Sequence, residues 1–209
     1  MDNIVQNNLD QEAINTDEEL AELSRKRDHK AFEVLMRRYM RQILNFSRQY
    51  AKTVEDADDI AQDTFLKVWK YIGKYTKGRA FRPWLYTIAR NNALDHIKKK
   101  KALPFSDLDD TDNDLSFADT VEDTEPLASE IFDKTTDRVI LTQIMESLHP
   151  DHKAILILHY HDNMTFDEIA DVLGRPMNTV KSWHRRSLVK LKDKLHHYQQ
   201  TPRNKPVNQ

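Results

Sequence analysis

The stretch from residue 81 to 101, FRPWLYTIARNNALDHIKKKK, combines residue types that suit contact with nucleic acid. Its final lysines can attract phosphates, and the amides of Asn91 and Asn92 can hydrogen-bond the edges of bases. A lysine run is also common on solvated helix ends, so charge alone leaves the two interpretations even. Aromatic rings can stack on unpaired bases. The candidate rings are Tyr75, Phe81, Trp84 and Tyr86, of which Trp84 also falls on an apolar stripe.

A second pattern lies at residues 166 to 186, FDEIADVLGRPMNTVKSWHRR. A helix-turn-helix needs a small residue where its helices cross, a glycine able to take positive φ at the turn, and an apolar residue that holds the second helix. Ala170, Gly174 and Val180 occupy these places, and a plain antiparallel helix pair is the alternative. Seven cations between Arg175 and Lys194 against one acid favour DNA binding. The remaining predicted contacts are Ile169, Leu173 and either Trp183 or Leu188.

A third pattern is acidic, DADDIAQDTFLKVW at residues 56 to 69. Adjacent Asp58 and Asp59 diverge on a helix, and no histidine lies near in sequence to share acid-base chemistry. An acidic face with an apolar rim favours a protein partner, with simple surface solvation as the alternative.

The histidines do not indicate a metal centre. His159 and His161 fall on different faces of a helix, while His152 and His159 share a face but lack the acidic residue of a zinc hydrolase motif. The chain contains no cysteine. We therefore predict no metal, no cofactor and no enzymatic activity, because a metal-dependent hydrolase would need clustered ligands.

Three glycines and long apolar periodicities at helical spacing predict an all-α protein. Thr16 with Glu19 forms a capping box, Asp28 and Thr53 can cap two further helices, and Pro83 suits the first turn of a fourth. Further helices are predicted at residues 151–161, 166–173 and 176 to about 197.

Residues 102–132 lack sustained periodicity, and between Asp107 and Glu130 they hold ten carboxylates and no Lys or Arg. So long a structureless loop is improbable inside one compact domain. We predict a flexible acidic linker at 102–132 between helical domains at 17–101 and 133–198.

The formal net charge is only −2, so the separation of charge along the chain matters more than its total. The first residues lack the layout of a secretory signal, and the longest apolar run has five residues, AILIL at 154–158. We expect a cytoplasmic protein without membrane insertion.

Taken in order, the three patterns resemble the extracytoplasmic-function (ECF) group of bacterial RNA polymerase sigma factors. Residues 56–75 look like that family's core-polymerase-binding segment, and residues 81–101 like its promoter-melting and minus-10-reading segment. Residues 148–192 are similar to its minus-35-reading domain. The resemblance implies two helical domains joined by a flexible linker, and a subunit that directs polymerase to promoters and opens them.

The resemblance also implies partners and site residues. The partners are core RNA polymerase and promoter DNA, and an anti-sigma factor is compatible with the family. Many members have a basic residue and then an aliphatic one where this chain has Trp183 and His184, which leaves open which of these packs inward. The family's core-polymerase-binding positions match Asp58, Asp59, Gln62, Asp63 and Phe65. Its minus-10 positions match Lys77, Gly78, Arg79, Arg90, Asn91, Asn92, Asp95, His96 and Lys98. Its minus-35 positions match Arg175, Pro176, Thr179, Lys181, Ser182, Arg185 and Arg186.

In this arrangement cations hold promoter DNA at two separate places, while the acidic linker avoids DNA and lies along a basic polymerase channel. The alternative function is a two-domain helix-turn-helix regulator that never joins polymerase.

Overall fold

A computed structural model describes residues 15–101, 141 and 144–200 of the chain. The regular secondary structure of these residues is helical, with no strand, which confirms the all-α prediction for the described part. The described chain forms two compact units. One contains residues 15–101 and 167–175, and the other contains residues 141, 144–166 and 176–200. The helices are α1 Asp17–Arg25, α2 His29–Ser47, α3 Val54–Tyr71, α4 Phe81–Lys101, α5 Pro150–Leu156, α6 Phe166–Leu173 and α7 Met177–Gln200.

The first three helices begin at the N-cap residues that the sequence predicts. Thr16 and Glu19 form the reciprocal capping box of α1. The Asp28 carboxylate accepts hydrogen bonds from two amides of the first turn of α2, and the Thr53 hydroxyl accepts one from Asp56 N in α3. Each cap satisfies amides that have no partner within their own helix.

In the first unit α1 packs on α2, α2 on α3, and α3 on α4. The apolar residues that recur at helical spacing from Ala57 to Ile72 are all buried. In α2 the corresponding residues Leu35, Tyr39, Ile43 and Phe46 are buried, whereas Phe32 and Met36 are half-exposed. The rings of Tyr39 and Phe46 contact those of Phe81 and Tyr86, respectively, in edge-on geometry. A 3-10 helix, Ile72–Lys74, links α3 to the loop that precedes α4.

The prediction that aromatic rings near α4 stack on bases is wrong for three of the four candidates. Tyr75, Phe81 and Tyr86 are at most 2% exposed, because they form the aromatic core of this unit. Trp84 is half-buried and packs against both Tyr75 and Phe81. The three buried rings cannot offer a face to a base.

The second unit has a separate core. A cluster of buried apolar side chains from residues 144–156 and from α7 forms this core, and the partly buried Met145 and Tyr160 pack against it. Helix α5 continues into a π-helical turn, Ile157–His161, so that residues 150–161 form one helical segment close to the predicted 151–161. The buried cluster is Ile144, Leu148, Leu156, Leu188, Leu191 and Leu195.

The turn between α6 and α7 has the predicted glycine geometry. Gly174 has φ +62°, a conformation that costs other residues strain, and Arg175 N donates to Ala170 O at 3.1 Å. Val180 is fully buried, as predicted for the residue that holds the second helix. Leu188 is also fully buried and Trp183 only partly, so Leu188 is the core residue of the two candidates.

The predicted linker at 102–132 lies outside the described residues. Within the described ranges, no helix has the length and apolar character that crossing a bilayer requires.

Candidate nucleic-acid interface

The loop before α4 presents two cations on a closed turn. Arg79 N donates to Thr76 O at 3.2 Å, and the buried Tyr75 donates its hydroxyl proton to Arg79 O. Gly78 has φ +83°, the left-handed conformation that glycine adopts at little cost. Lys77 and Arg79 are therefore exposed on a loop whose backbone is fixed by its own hydrogen bonds.

Helix α4 carries the next predicted residues along its outer side. Asn91, Asp95 and Lys98 are exposed and recur at helical spacing, so they share one face. Arg90 and His96 are half-buried beside that face. Two contacts to α3 bear on these residues: Lys67 Nζ lies 3.8 Å from Asp95 Oδ2, and His96 Nε2 lies 3.4 Å from Asp56 Oδ1.

The structure removes Asn92 from this face, which corrects its predicted minus-10 role. Its side chain is buried between α3 and α4, where the amide nitrogen donates to Ile60 O at 2.9 Å and to Thr64 Oγ1 at 3.3 Å. Its amide oxygen accepts from Lys67 Nζ at 2.5 Å. Because both the oxygen and the nitrogen of its amide already have hydrogen-bond partners in α3, Asn92 holds α4 against α3 and is not available to bind a base.

An exposed aromatic ring that the sequence patterns did not single out lies at the end of α3. Tyr71 is 37% exposed, and the ammonium groups of Lys70 and Lys74 lie 5.6 and 5.0 Å from its ring centroid. The sequence from Thr64 to Leu94 contains no acidic residue. Tyr71 is thus an accessible ring in a strongly cationic segment. An aromatic residue between lysines, in a stretch without acids, is the sequence pattern that could have identified it as a stacking residue.

The acidic face of α3 is solvent-exposed, but its apolar residue is not the predicted one. Phe65 is 6% exposed and belongs to the buried stripe, so its predicted contact with polymerase is corrected. Its neighbour Leu66 is 67% exposed, because one residue further along a helix turns the side chain by about 100°. The exposed acidic patch is defined here as Asp58, Asp59, Gln62, Asp63 and Leu66.

The predicted minus-35 residues lie in the α6–α7 turn and on the first turns of α7. Arg175 and Pro176 are exposed in the turn. Lys181 and Arg185 lie one helical turn apart on the same face of α7. Ser182 Oγ donates to Thr179 O at 3.1 Å, so this hydroxyl already has a partner inside the helix. The half-buried members of the set are Thr179, Lys181, Ser182, Arg185 and Arg186.

The structure answers which of Trp183 and His184 packs inward. His184 is 1% exposed, its Nε2 lies 2.9 Å from Tyr160 Oη, and its ring contacts Phe166 and His159. Burial, and then the neighbouring His159, lower the pKa of His184 to about 4. Trp183 stays half-buried against His152. A neutral imidazole therefore occupies a core position behind the cationic surface of α7.

These surfaces suit recognition rather than catalysis. Exposed ammonium, guanidinium and amide groups can neutralise phosphates and hydrogen-bond bases, while an acidic patch around a leucine can receive a basic protein surface. Among residues 15–101 and 144–200, no group of His, Asp and Glu is arranged to hold a metal ion.

Comparison with known proteins places both cationic surfaces within defined sequence families. The family model of Sigma-70 region 2 matches residues 35–103, and that of Sigma-70, region 4 matches residues 138–191. The ECF RNA polymerase sigma-E factor of Salmonella typhimurium is 30% identical over 174 residues, which cover 80% of this chain and 87% of that protein. The RNA polymerase sigma-H factor of Pseudomonas aeruginosa is 29% identical over 168 residues, covering 79% and 86%.

Solved structures share the fold. The chain is similar to CnrH in complex with the cytosolic domain of CnrY, with a TM-score of 0.63, 22% identity, and coverage of 88% of this chain and 99% of that one. It is also similar to the sigma factor RpoE of Bartonella quintana in complex with the anti-sigma factor NepR, with a TM-score of 0.60, 20% identity, and coverage of 80% and 98%. Together with the 30% identity to a curated relative, these matches show that the chain belongs to the ECF group of sigma-70-type RNA polymerase sigma factors.

Proposed function

We propose that this sigma factor divides promoter recognition and polymerase binding among three surfaces of its two helical units. As a family member it is a transcription initiation factor and not an enzyme. The observation that carries the assignment is that each cationic surface falls inside one matched region. The loop and α4 lie in region 2, and the start of α7 lies in region 4.

The acidic patch on α3 binds core RNA polymerase. Asp59 and Asp63 present exposed carboxylates one helical turn apart, with Asp58 next to them, and Leu66 supplies the apolar contact that an interface core needs. The charges steer a basic partner surface, and burial of Leu66 slows its release.

The cationic loop and the outer face of α4 bind the minus-10 element and stabilise its melted strand. Lys77 and Arg79 attract phosphates, and Asn91 offers an exposed amide to a base edge. Tyr71 adds an accessible ring on which an unpaired base can stack once the flexible lysines beside it move to phosphates. Arg90, Asp95, His96 and Lys98 border this surface.

The first turns of α7 read the minus-35 element. A recognition helix meets base edges with its N-terminal residues, which places Thr179, Lys181 and Ser182 nearest the bases. Arg185 and Arg186, one turn later, grip phosphates. The complex of the sigma factor RpoE with the anti-sigma factor NepR supports a partner of that class for this chain, and action on polymerase implies a cytoplasmic location.

The test is reconstitution. Purified chain is mixed with core polymerase and a promoter library, and the selected promoters are transcribed in vitro. Promoter-specific transcripts are expected only with the chain present. Selective DNA binding without co-purification of polymerase would indicate instead a helix-turn-helix regulator that never joins the enzyme.

A further inference from the structure

The first turn of α1 holds three consecutive acids, and each has a different structural partner. Asp17 contacts α2 through Arg38 at 2.8 Å, and it also accepts a hydrogen bond from the Tyr39 hydroxyl. Glu19 closes the capping box of its own helix. Glu18 does neither, because its carboxylate accepts a hydrogen bond from Phe81 N at 3.1 Å, across 63 residues of sequence.

Phe81 is the first residue of α4, directly after the cationic loop. An amide at this position has no acceptor within its own helix, so Glu18 provides the missing partner from another element. A carboxylate at a helix N-terminus is also favoured by the helix dipole. Glu18 therefore fixes the point at which the loop ends and α4 begins.

A second contact holds the same loop two residues earlier. Tyr75 donates its hydroxyl proton to Arg79 O, and burial, then Glu18 and Glu22 of α1, raise the pKa of Tyr75 above its ordinary value. The charges of α1 thus face the ring that closes the loop. The backbone on both sides of Ala80 is fastened, at Arg79 by Tyr75 and at Phe81 by Glu18.

We propose that Glu18 is a positioning residue for minus-10 recognition, which holds the loop that carries Lys77 and Arg79 in its strand-binding conformation. This inference rests on the minus-10 role proposed above for that loop. Helix α1 lies before residue 35, where the region 2 family match begins. The promoter-reading apparatus of this chain therefore extends to a helix that makes no proposed DNA contact.

The test compares Glu18→Ala with Glu18→Gln, because glutamine keeps a carbonyl acceptor for Phe81 N but removes the charge. Glu19→Ala is the matched control, since it removes an adjacent acid that only caps α1. Polymerase carrying each variant is bound to a promoter fork with a single-stranded minus-10 strand. Loss of the hydrogen bond to Phe81 N supports an expected loss of about five- to tenfold for Glu18→Ala. Glu18→Gln keeps the acceptor and loses only the contribution of the charge, so its loss should be about two- to threefold, and Glu19→Ala should stay within about twofold.

Hydrogen exchange of residues 76–81 in the free chain gives a readout that needs no polymerase. Faster exchange in Glu18→Ala, restored in Glu18→Gln, is expected whether or not the chain acts at promoters. Equal binding losses for Glu18→Ala and Glu19→Ala, or unchanged exchange in the loop, would overturn the positioning role. A different outcome is that Glu18→Ala speeds hydrogen exchange in the loop as expected, while polymerase carrying the wild-type chain selects no promoter. That outcome would reject the proposed function and with it the promoter role of Glu18.

A double-mutant cycle with Tyr75→Phe adds a structural criterion. If both contacts hold one loop, the effects of Glu18→Ala and Tyr75→Phe on binding of the fork are non-additive, because breaking one releases the loop. Additive losses would show that the two residues act separately, against the proposal.

Discussion

His184 Nε2 lies 2.9 Å from the hydroxyl of Tyr160, on the buried side of the helix whose other side carries the proposed minus-35 residues. The imidazole must stay neutral there, because burial lowers its pKa to about 4 from the ordinary value of 6.5. In the unfolded chain this imidazole becomes protonated near pH 6.5, whereas in the folded chain it becomes protonated only near pH 4. Stability from this site is therefore complete above pH 6.5 and declines as the pH falls toward 4.

The first prediction follows from this relationship. Between pH 7 and 4 the second unit should lose on the order of 3 kcal/mol of unfolding free energy through His184. Hydrogen exchange of peptides from α5 and α7 at several pH values measures the loss. His184→Gln, which can still hydrogen-bond Tyr160, should remove most of the difference. An equal pH dependence in that variant would assign the effect to other groups.

The second prediction separates the exposed leucine of α3 from its buried neighbour. Leu66→Arg should weaken co-purification with core polymerase by about 2 kcal/mol while leaving thermal unfolding unchanged, because Leu66 has no core role. Asp59→Arg should behave alike. Phe65→Ala should cost about 3–5 kcal/mol of stability. Leu23→Arg, at an exposed leucine of α1, is the control; a matching binding loss there would discard the α3 patch as the docking site.

The third prediction concerns the three glycines, each of which has open space where a Cβ would lie. Gly78 and Gly174 have positive φ and Gly73 does not. Gly78→Ala and Gly174→Ala should each destabilise the chain by about 1 kcal/mol through backbone strain alone. Gly73→Ala should be neutral or slightly stabilising. Thermal unfolding of the three variants distinguishes them, and identical shifts would contradict the conformational argument.

The fourth prediction concerns base stacking on Tyr71. Tyr71→Ala should shorten the lifetime of the open complex by about fivefold or more, and Tyr71→Phe should restore it, since a base stacks on either ring. An abasic site at the contacted position should abolish the difference between Tyr71→Ala and wild type. Scanning abasic sites through the melted strand locates that position. If no site removes the difference, Tyr71 acts by another route.

The fifth prediction distinguishes reading from phosphate attraction in α7. Lys181→Ala should cost roughly 1–3 kcal/mol on the preferred minus-35 sequence and little on scrambled DNA. Lys192→Ala, three turns later, should have a smaller and salt-dependent effect that is alike on both sequences. Binding of polymerase carrying each variant at two salt concentrations measures both. Equal losses on the two sequences for Lys181→Ala would reject base reading by that residue.

Sequence patterns were most informative where geometry is local. The caps at Thr16, Asp28 and Thr53 and the positive φ of Gly174 depend on a few neighbouring residues, and all were predicted. Family membership followed from the order of three motifs, and the comparisons confirmed it.

The errors arose where one residue type suits two environments. An asparagine amide can meet a base or fasten two helices, and only the contacts of Asn92 with Ile60, Thr64 and Lys67 decide between them. Phe65 follows the buried apolar periodicity of α3, and only the family resemblance places it on the polymerase-binding surface. Ring types alone likewise could not distinguish the buried tyrosines from Tyr71.

Helix α7 runs unbroken for 24 residues, about 36 Å, from the proposed reading residues to Leu195 in the core. The side chains that meet DNA and those that anchor the domain therefore share one rigid rod. Its backbone entropy is lost when the chain folds, not when DNA arrives. Promoter capture then requires the ordering of a few long side chains only, which leaves more of the contact energy for affinity and discrimination.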